Sequence, residues 1–420
     1  MALGFEQAGF DVLGAVDLDP IHLAAHERNF PLCEPVSADV AEISAAELVD
    51  AAHRGWERRH PDMSFAGPVD CIFGGPSCQG FSVIGSRNRD DPRNALVAEF
   101  ARLVVEMRPR WFVMENVPGL ASAGYRPILD AFRHTLEAAD YQVVEPWRLN
   151  AREHGVPQER LRVFVVGARA GEVLPTAPAA ESSVPTVVDA LGDLPALSRF
   201  RKLHERDTIT LSAEQLAAMQ RRQSEYVRRL NGVQANRDDL ADVRAWDAHV
   251  LTSVGLAVHS APVVARFQRL QRGERDEIGR LPKLDPNGQC PTLRAGTGRD
   301  HGSFTSARPV HYSSPRVIAV REAARLHGFP DWFGFHETKW HGFRQVGNAV
   351  PPPLARAVAQ TVVGAAGVDP SRRTGEPLEL GPTDLLSMPM SEAARRFQLD
   401  PAKLPINVRT VAAREARVAA

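Results

Sequence analysis

Cysteine is scarce in this sequence: 420 residues contain 4, at Cys33, Cys71, Cys78 and Cys290. No CxxC pair or Cys/His ladder brackets them, so their spacing argues against a disulfide framework and a structural zinc site, and no metal is expected. Net charge is equally low, −1 at pH 7 from 50 basic and 51 acidic residues. Any basic surface must therefore arise by local clustering, and overall charge neither supports nor excludes a nucleic-acid partner. No apolar run approaches the ~20 residues of a membrane-spanning helix, and the N-terminus lacks the charged and apolar regions of a secretory signal. The expectation is a cytoplasmic protein with no membrane partner. What the chain does have is 44% hydrophobic and 24% charged residues, the make-up of a globular protein with a substantial core and length for two or three domains.

The order of apolar segments points to an α/β fold. A helix over Met1 to Ala8, a turn at Gly9 and an apolar strand Val12 to Val16 ending on Asp17-Leu18-Asp19 set a Rossmann-type rhythm. Short strands recur at Val69 to Gly74, at Trp111 to Met114 ending on Glu115-Asn116, and at Leu161 to Gly167, with a helix near Pro127 to Ala139. Alternation of strands and helices predicts a mostly parallel sheet, with polar residues at the carboxyl ends of the strands, where open α/β sheets bind ligands. From about Thr176 to Pro195, residues rich in Pro, Ala, Ser and Thr mark an exit from the sheet domain. The spacing divides the chain into a catalytic domain over 1–180, an Arg-rich region over 181–308, a return to the first domain over 309–364 and a loosely ordered tail over 365–420. Arg221-Arg222 and Arg228-Arg229 fall on a predicted helix, and each suits a solvated face as well as a DNA backbone.

Three short stretches carry chemistry. Gly74-Gly75-Pro76-Ser77-Cys78-Gln79-Gly80-Phe81-Ser82 follows a strand and is too rich in glycine to be packing. A cysteine is more often a buried small hydrophobe than a nucleophile, but this one stands in a loop at a ligand-binding edge. Glu115-Asn116-Val117 closes a strand, where a partly desolvated carboxyl group can donate a proton or simply cap a turn. Gln158-Glu159-Arg160-Leu161-Arg162 sets two arginines at i, i+2 on one face of a strand entrance, an arrangement that taken alone is more often a surface ion-pair site.

Joint occurrence in this order resembles the cytosine-C5 DNA methyltransferase family, from Ala2 to about Gln360. Pro76-Ser77-Cys78-Gln79 is similar to its nucleophile motif, with Ser77 where a proline is often found. Glu115-Asn116-Val117 is similar to its Glu-Asn-Val motif, and Gln158, Arg160 and Arg162 to its Gln-x-Arg-x-Arg motif. Arg321 to Leu326 with Gly328-Phe329-Pro330, and Gln345 to Pro351, resemble the closing motifs, and Pro291 to Ala295 the Thr-Leu signature of the recognition region. The resemblance implies a Rossmann-like methyltransferase sheet with a smaller inserted target-recognition domain. It implies S-adenosylmethionine as cofactor and a cytosine flipped out of double-stranded DNA, attacked at C6 by Cys78, with Glu115 at N3, Arg162 facing the base and Arg160 helping to hold the site. Pro76, Gln79 and Ser82 would belong to the clamping loop. Asp17 would meet the ribose diol, Leu18 the adenine face, Asp39 the adenine amino group and Asn348 the methionine end of the cofactor.

The family opens with a strand and a Phe-x-Gly-x-Gly-Gly loop, whereas Met1 to Phe10 matches the helix that follows them. The expectation is a catalytic domain lacking that first strand and loop, with weak cofactor binding. A monomer on DNA, with a cognate restriction endonuclease as a further partner, completes the expectation. A transfer-RNA cytosine methyltransferase and a truncated DNA-binding remnant are the alternatives, and the Arg-rich region favours DNA over transfer RNA.

Overall fold

A computed structural model describes residues 1–65, 67–76, 95–181, 183–234, 238–296, 308–372 and 375–399. The first helix, α1 (Ala2–Gln7), ends at Gly9, whose φ of 101° turns the chain toward strand β1 (Gly14–Asp17). Asp19 accepts a hydrogen bond from Ile21 N and Pro20 presets the first turn of α2 (Pro20–Asn29). Strand β2 (Glu34–Ser37) pairs in parallel with β1, and a Ser44/Glu47 capping box starts α3 (Ala45–Arg59).

The larger sheet runs in the order β3 (Cys71–Gly74), β4 (Trp111–Asn116), β8 (Leu161–Arg169), β5 (Tyr141–Val143), with β6 (Trp147–Asn150) also on β8. Helices α4 (Ala95–Met107) and α5 (Arg126–Glu137) cover one face through Phe100, Leu129 and Phe132, and α12 (Pro352–Ala366) covers the other through Leu354, Val358 and Val362. All of β4 is buried, which is why it reads as an unbroken apolar run up to Glu115.

Strands β3, β4, β5 and β6 run in one direction, as alternation predicts, and β8 alone runs against them. Only β3 pairs in parallel with β4, while β8 is antiparallel to β4, β5 and β6. The physical reason is the short return from β6: a 3₁₀ turn over Ala151–His154 and Gly155 at φ 72° reverse the chain, and so few residues cannot make a parallel crossover. Antiparallel pairing brings the start of β8 beside the end of β4, with Glu115 opposite Phe164 and Asn116 opposite Val163. The carboxyl end of one strand and the entrance of the next thereby share one edge.

Among the described residues, β1 pairs only with β2 and β3 only with β4, so the sheet lies in two pieces. Phe73 of β3 stacks on Phe5 of α1 at 3.9 Å between ring centroids.

Beyond the sheet lie α6 (Val187–Leu191), β9 (Ile209–Thr210), α7 (Ala213–Arg222), α8 (Glu225–Leu230), β10 (Arg244–Ala245), β11 (Val250–Leu251), α9 (Ala261–Arg269) and β12 (Cys290–Pro291). The single helix expected for the two arginine pairs is two, because Ser224 caps α8. Leu191, Leu203, Leu216 and Leu251 share one core with Ala323 and Leu326 of α10 (Val320–Leu326) and Phe343 of α11 (Lys339–Asn348). A buried ion network locks that seam: Arg325 donates to Asp331 Oδ1 at 2.8 Å and to Asp193 Oδ1, and Glu322 receives both Arg316 Nη1 and Nη2 at 2.8 Å.

The tail expected to be loosely ordered is packed over residues 375–399. Strand β13 (Leu378–Glu379) pairs with β10, and α13 (Met390–Arg396) lies on α2, where Leu385, Met388 and Ala393 bury Ile21 and Ala24. Its few apolar residues are spread over short elements, too sparsely for a periodic signal. Among the described residues, no helix is long and apolar enough to cross a membrane.

Candidate active site

Strand β4 delivers Glu115 to the sheet edge with its side chain 11% exposed, and the antiparallel start of β8 delivers Arg162, also 11% exposed, to within 2.9 Å (Nε to Oε1). Arg162 Nη1 also donates to the carbonyl of Leu161 at 2.7 Å, which fixes the guanidinium plane. Gly75 stands over this pair: a Cβ there would lie 3.0 Å from Glu115 Oε2, so glycine allows the loop to pass close to the carboxylate. Asn116 Nδ2 donates to the carbonyl of Pro76 at 3.3 Å, and its Oδ1 accepts from Val117 N at 2.9 Å. The loop that leads to Cys78 is thus tied to the end of β4 two residues before the thiol. Cys78, Gln79 and Ser82 lie outside the described residues. Asn116 appeared in sequence only as part of a motif, and its anchoring role needs the β3–β4 register to be seen.

Arg160 is buried in the gap between β7 (Gln158–Glu159) and β8 and makes no ion pair among the described residues. Its Nη1 donates to Leu293 O at 2.7 Å, and its Nη2 donates to Gly347 O at 2.7 Å and Ala349 O at 2.9 Å. Burial, then the like charge of Arg162, holds Arg160 well below its ordinary pKa. Gln158 completes the joint: its Nε2 donates to Leu326 O at 3.2 Å and His327 Nδ1 at 3.0 Å, and its Oε1 accepts from Leu293 N at 3.0 Å. His327 Nε2 faces the carbonyl of Ala349 at 2.9 Å, so the neutral ring carries its proton on Nε2, and burial with the nearby Arg160 charge keeps it neutral. Sequence reasoning missed His327; its signal was a histidine directly after the apolar helix Val320–Leu326.

Asp17 and Asn348, far apart in sequence, line one cavity of about 300 Å³ together with Met1, His22, His26, Phe333 and Phe335. Asp17 Oδ1 accepts from Asp19 N at 2.8 Å and its Oδ2 lies 3.5 Å from His22 Nδ1. Burial would raise the Asp17 carboxyl, but His22 outweighs it and holds it below its ordinary value. His22 is itself pushed up by Asp17 and Asp19 against the opposing effect of burial. His26 Nδ1 is buried at this cavity without a hydrogen-bond partner among the described residues. Leu18 and Asp39 do not line the cavity; Asp39 Oδ1 instead accepts from Ala41 N at 2.9 Å in the turn after β2. Among the described residues, no cluster of His, Cys, Asp and Glu is arranged to hold a metal ion. Cys33, Cys71 and Cys290 are free thiols, and burial above all pushes each well above its ordinary pKa.

Residues 1–364 match the C-5 cytosine-specific DNA methylase family. The chain is 43% identical over 398 residues to the type II methyltransferase M.XorII of Xanthomonas oryzae pv. oryzae, covering 94% of this chain and 89% of the relative. It is 30% identical over 426 residues to the type II methyltransferase M.AgeI of Thalassovita gelatinovora, covering 86% and 95%. Among solved structures, a prophage-encoded DNA modification methyltransferase (E. coli) superposes with a TM-score of 0.67 at 33% identity, over 87% of this chain and 96% of that one.

Proposed function

Because the chain belongs to the C-5 cytosine-specific DNA methylase family and is a DNA (cytosine-5-)-methyltransferase, we propose that its chemistry runs through Cys78, Glu115 and Arg162, with Arg160 as the positioning residue behind them. The supporting observation is the Glu115–Arg162 pair at the edge where Asn116 holds Pro76. C5 of cytosine is a poor nucleophile inside an aromatic ring, so the Cys78 thiolate first adds to C6 and breaks the conjugation. Electron density moves toward N3, where Glu115 supplies a proton, while the remaining N–H groups of Arg162 suit the cytosine O2. S-adenosylmethionine, when bound, supplies the electrophilic methyl group that C5 receives. Loss of the C5 proton and expulsion of the Cys78 thiolate then restore the ring. The reacting base has to leave the duplex, and the loop from Pro76 through Gln79 to Ser82 is the proposed clamp.

The cavity suits a nucleoside-bearing methyl donor: a carboxylate at Asp17 for a ribose diol, the Asn348 amide for a polar end, and Phe333 and Phe335 as apolar walls. Leu18 and Asp39 would reach such a ligand only from outside the present lining. Calorimetric titration with S-adenosylhomocysteine should show binding that Asp17→Ala weakens, and equal affinity in the variant would refute the cavity assignment. We further propose action as a monomer on duplex DNA in the cytoplasm, beside a cognate restriction endonuclease. The central test is Cys78→Ser: methyl transfer is abolished while duplex binding persists, and undiminished turnover would overturn the assignment.

A further inference from the structure

We propose that the hairpin over residues 273–283 is a DNA-reading element, with Ile278 contacting base edges and the surrounding arginines contacting phosphates. The proposal rests on duplex DNA being the substrate. The hairpin is a built structure: Gly273 N donates to Lys283 O at 2.9 Å, Lys283 N to Glu274 O at 2.8 Å and Asp276 N to Leu281 O at 2.9 Å. Its turn is held from inside by the buried carboxylate of Asp276, which accepts from Gly279 N and pairs with Arg266 of α9. Arg280 takes a φ of 52°, a conformation that a side chain of this size adopts only when its surroundings impose it. Lys283 Nζ donates to Leu270 O at 2.8 Å, and Val310 N donates to Pro282 O at 2.8 Å, so the base of the hairpin is fixed to the core around Phe267 and Val310.

This rigid support presents an apolar side chain to solvent. Ile278, near the tip, is 75% exposed. Around it Arg269, Arg272, Arg275 and Arg280 are exposed and form no ion pair among the described residues. Between Arg266 and Lys283 there are 6 basic residues against 3 acidic ones, in a chain whose net charge is −1. A solvated loop has no reason to combine a capped, strained turn with an exposed isoleucine, whereas a two-stranded ribbon with basic flanks matches the width and charge of a DNA groove, where apolar side chains meet thymine methyl groups. The position is also right. The 9 residues from Lys283 to Thr292, numbered as in the sequence, span at most ~30 Å when extended. Thr292 Oγ1 donates to Glu159 O at 2.6 Å, beside Arg160 and Arg162. The hairpin base therefore lies within ~30 Å of the segment that carries Glu159, Arg160 and Arg162.

The test uses the full chain with plasmid DNA amplified in vitro and so unmethylated. Bisulfite sequencing after incubation should show the wild type marking one sequence context, and Ile278→Ser extending methylation to contexts differing by one base at about tenfold higher relative rate, with Ile278→Val restoring the preference. In fluorescence anisotropy with labelled duplex, Arg269→Gln with Arg272→Gln should lower the slope of log affinity against log salt by about 1.8. An unchanged sequence preference in Ile278→Ser together with an unchanged salt slope would overturn the proposal. Absence of methyl transfer by the wild type would instead count against the enzymatic reading, and the anisotropy measurement would still decide the role of the hairpin.

Discussion

Arg162 Nε lies 2.9 Å from Glu115 Oε1, an ion pair made across two strands of opposite direction. The pair makes separable demands on the two residues. Glu115→Gln keeps shape and hydrogen bonding but removes the proton donor, so single-turnover methyl transfer should slow by about 10²-fold or more with duplex affinity retained. Arg162→Ala should lose activity and also stability, because it leaves a mostly buried carboxylate without its cation, at a cost of about 3 kcal/mol in urea denaturation. A Glu115→Gln rate within threefold of wild type would remove Glu115 from the chemistry.

Gly347 and Arg160 are coupled through backbone. A Cβ on Gly347 would sit 2.3 Å from Ala295 N, and the carbonyl of Gly347 is one of three that Arg160 holds. Gly347→Ala should therefore cost about 1–3 kcal/mol by overpacking. Arg160→Lys, with one ammonium in place of a planar fork, cannot reach all three carbonyls and should also lower stability. Denaturant midpoints measure both, and a Gly347→Ala midpoint equal to that of wild type would show that the contact yields without strain.

Much of this architecture could be seen in the sequence where a single physical cause dominated. The fully buried β4 announced itself as an apolar run ending on Glu115, and the turn expected at Gly9 falls where its φ of 101° closes α1. The direction of β8 was not read, although the short connection from Asn150 to Leu161 already excluded a parallel crossover. Within the site, the motif spacing brought Glu115, Arg160 and Arg162 to notice, but not that Arg160 is spent on three carbonyls while Arg162 holds the acid. That division depends on residues 293, 347 and 349 arriving from remote sequence, which no local pattern encodes. His22 beside Asp17 and the packed segment 375–399 were hidden for the same reason.

Histidines should make the fold acid-sensitive. Burial lowers His26 and His341 to about 4 and His327 well below its ordinary value, so all three are neutral in the folded protein. The unfolded chain takes up these protons near pH 6.5, so the stability they contribute is present above that value and is lost as pH falls toward 4. His22 opposes this, since its raised pKa contributes stability at acid pH that disappears as pH rises through its folded value. His154, His259, His311 and His336 are lowered by burial in the same way, and these seven histidines outnumber His22 and the raised carboxyls of Asp207, Asp239 and Glu6, so the urea midpoint should fall between pH 7 and pH 5. A midpoint that is flat or rises over that interval would contradict the neutral assignment.

The C-terminal segment should matter to the cofactor cavity although it does not line it. Leu385, Met388 and Ala393 bury Ile21 and Ala24 on one face of α2, and the same helix presents His22 and His26 to the cavity beside Asp17. His336 Nε2, ahead of α11, also reaches the carbonyl of Met388 at 3.2 Å. Leu385→Ala should cost about 2–5 kcal/mol, as expected for a buried leucine whose surroundings collapse only in part. Because α2 is held between that apolar patch and the cavity, S-adenosylhomocysteine affinity should fall in the same variant, whereas an exposed substitution such as Glu392→Gln should leave it unchanged. Loss of stability with full retention of ligand affinity would mean that α2 keeps its position without the segment, and the docking of residues 375–399 would then serve the fold alone.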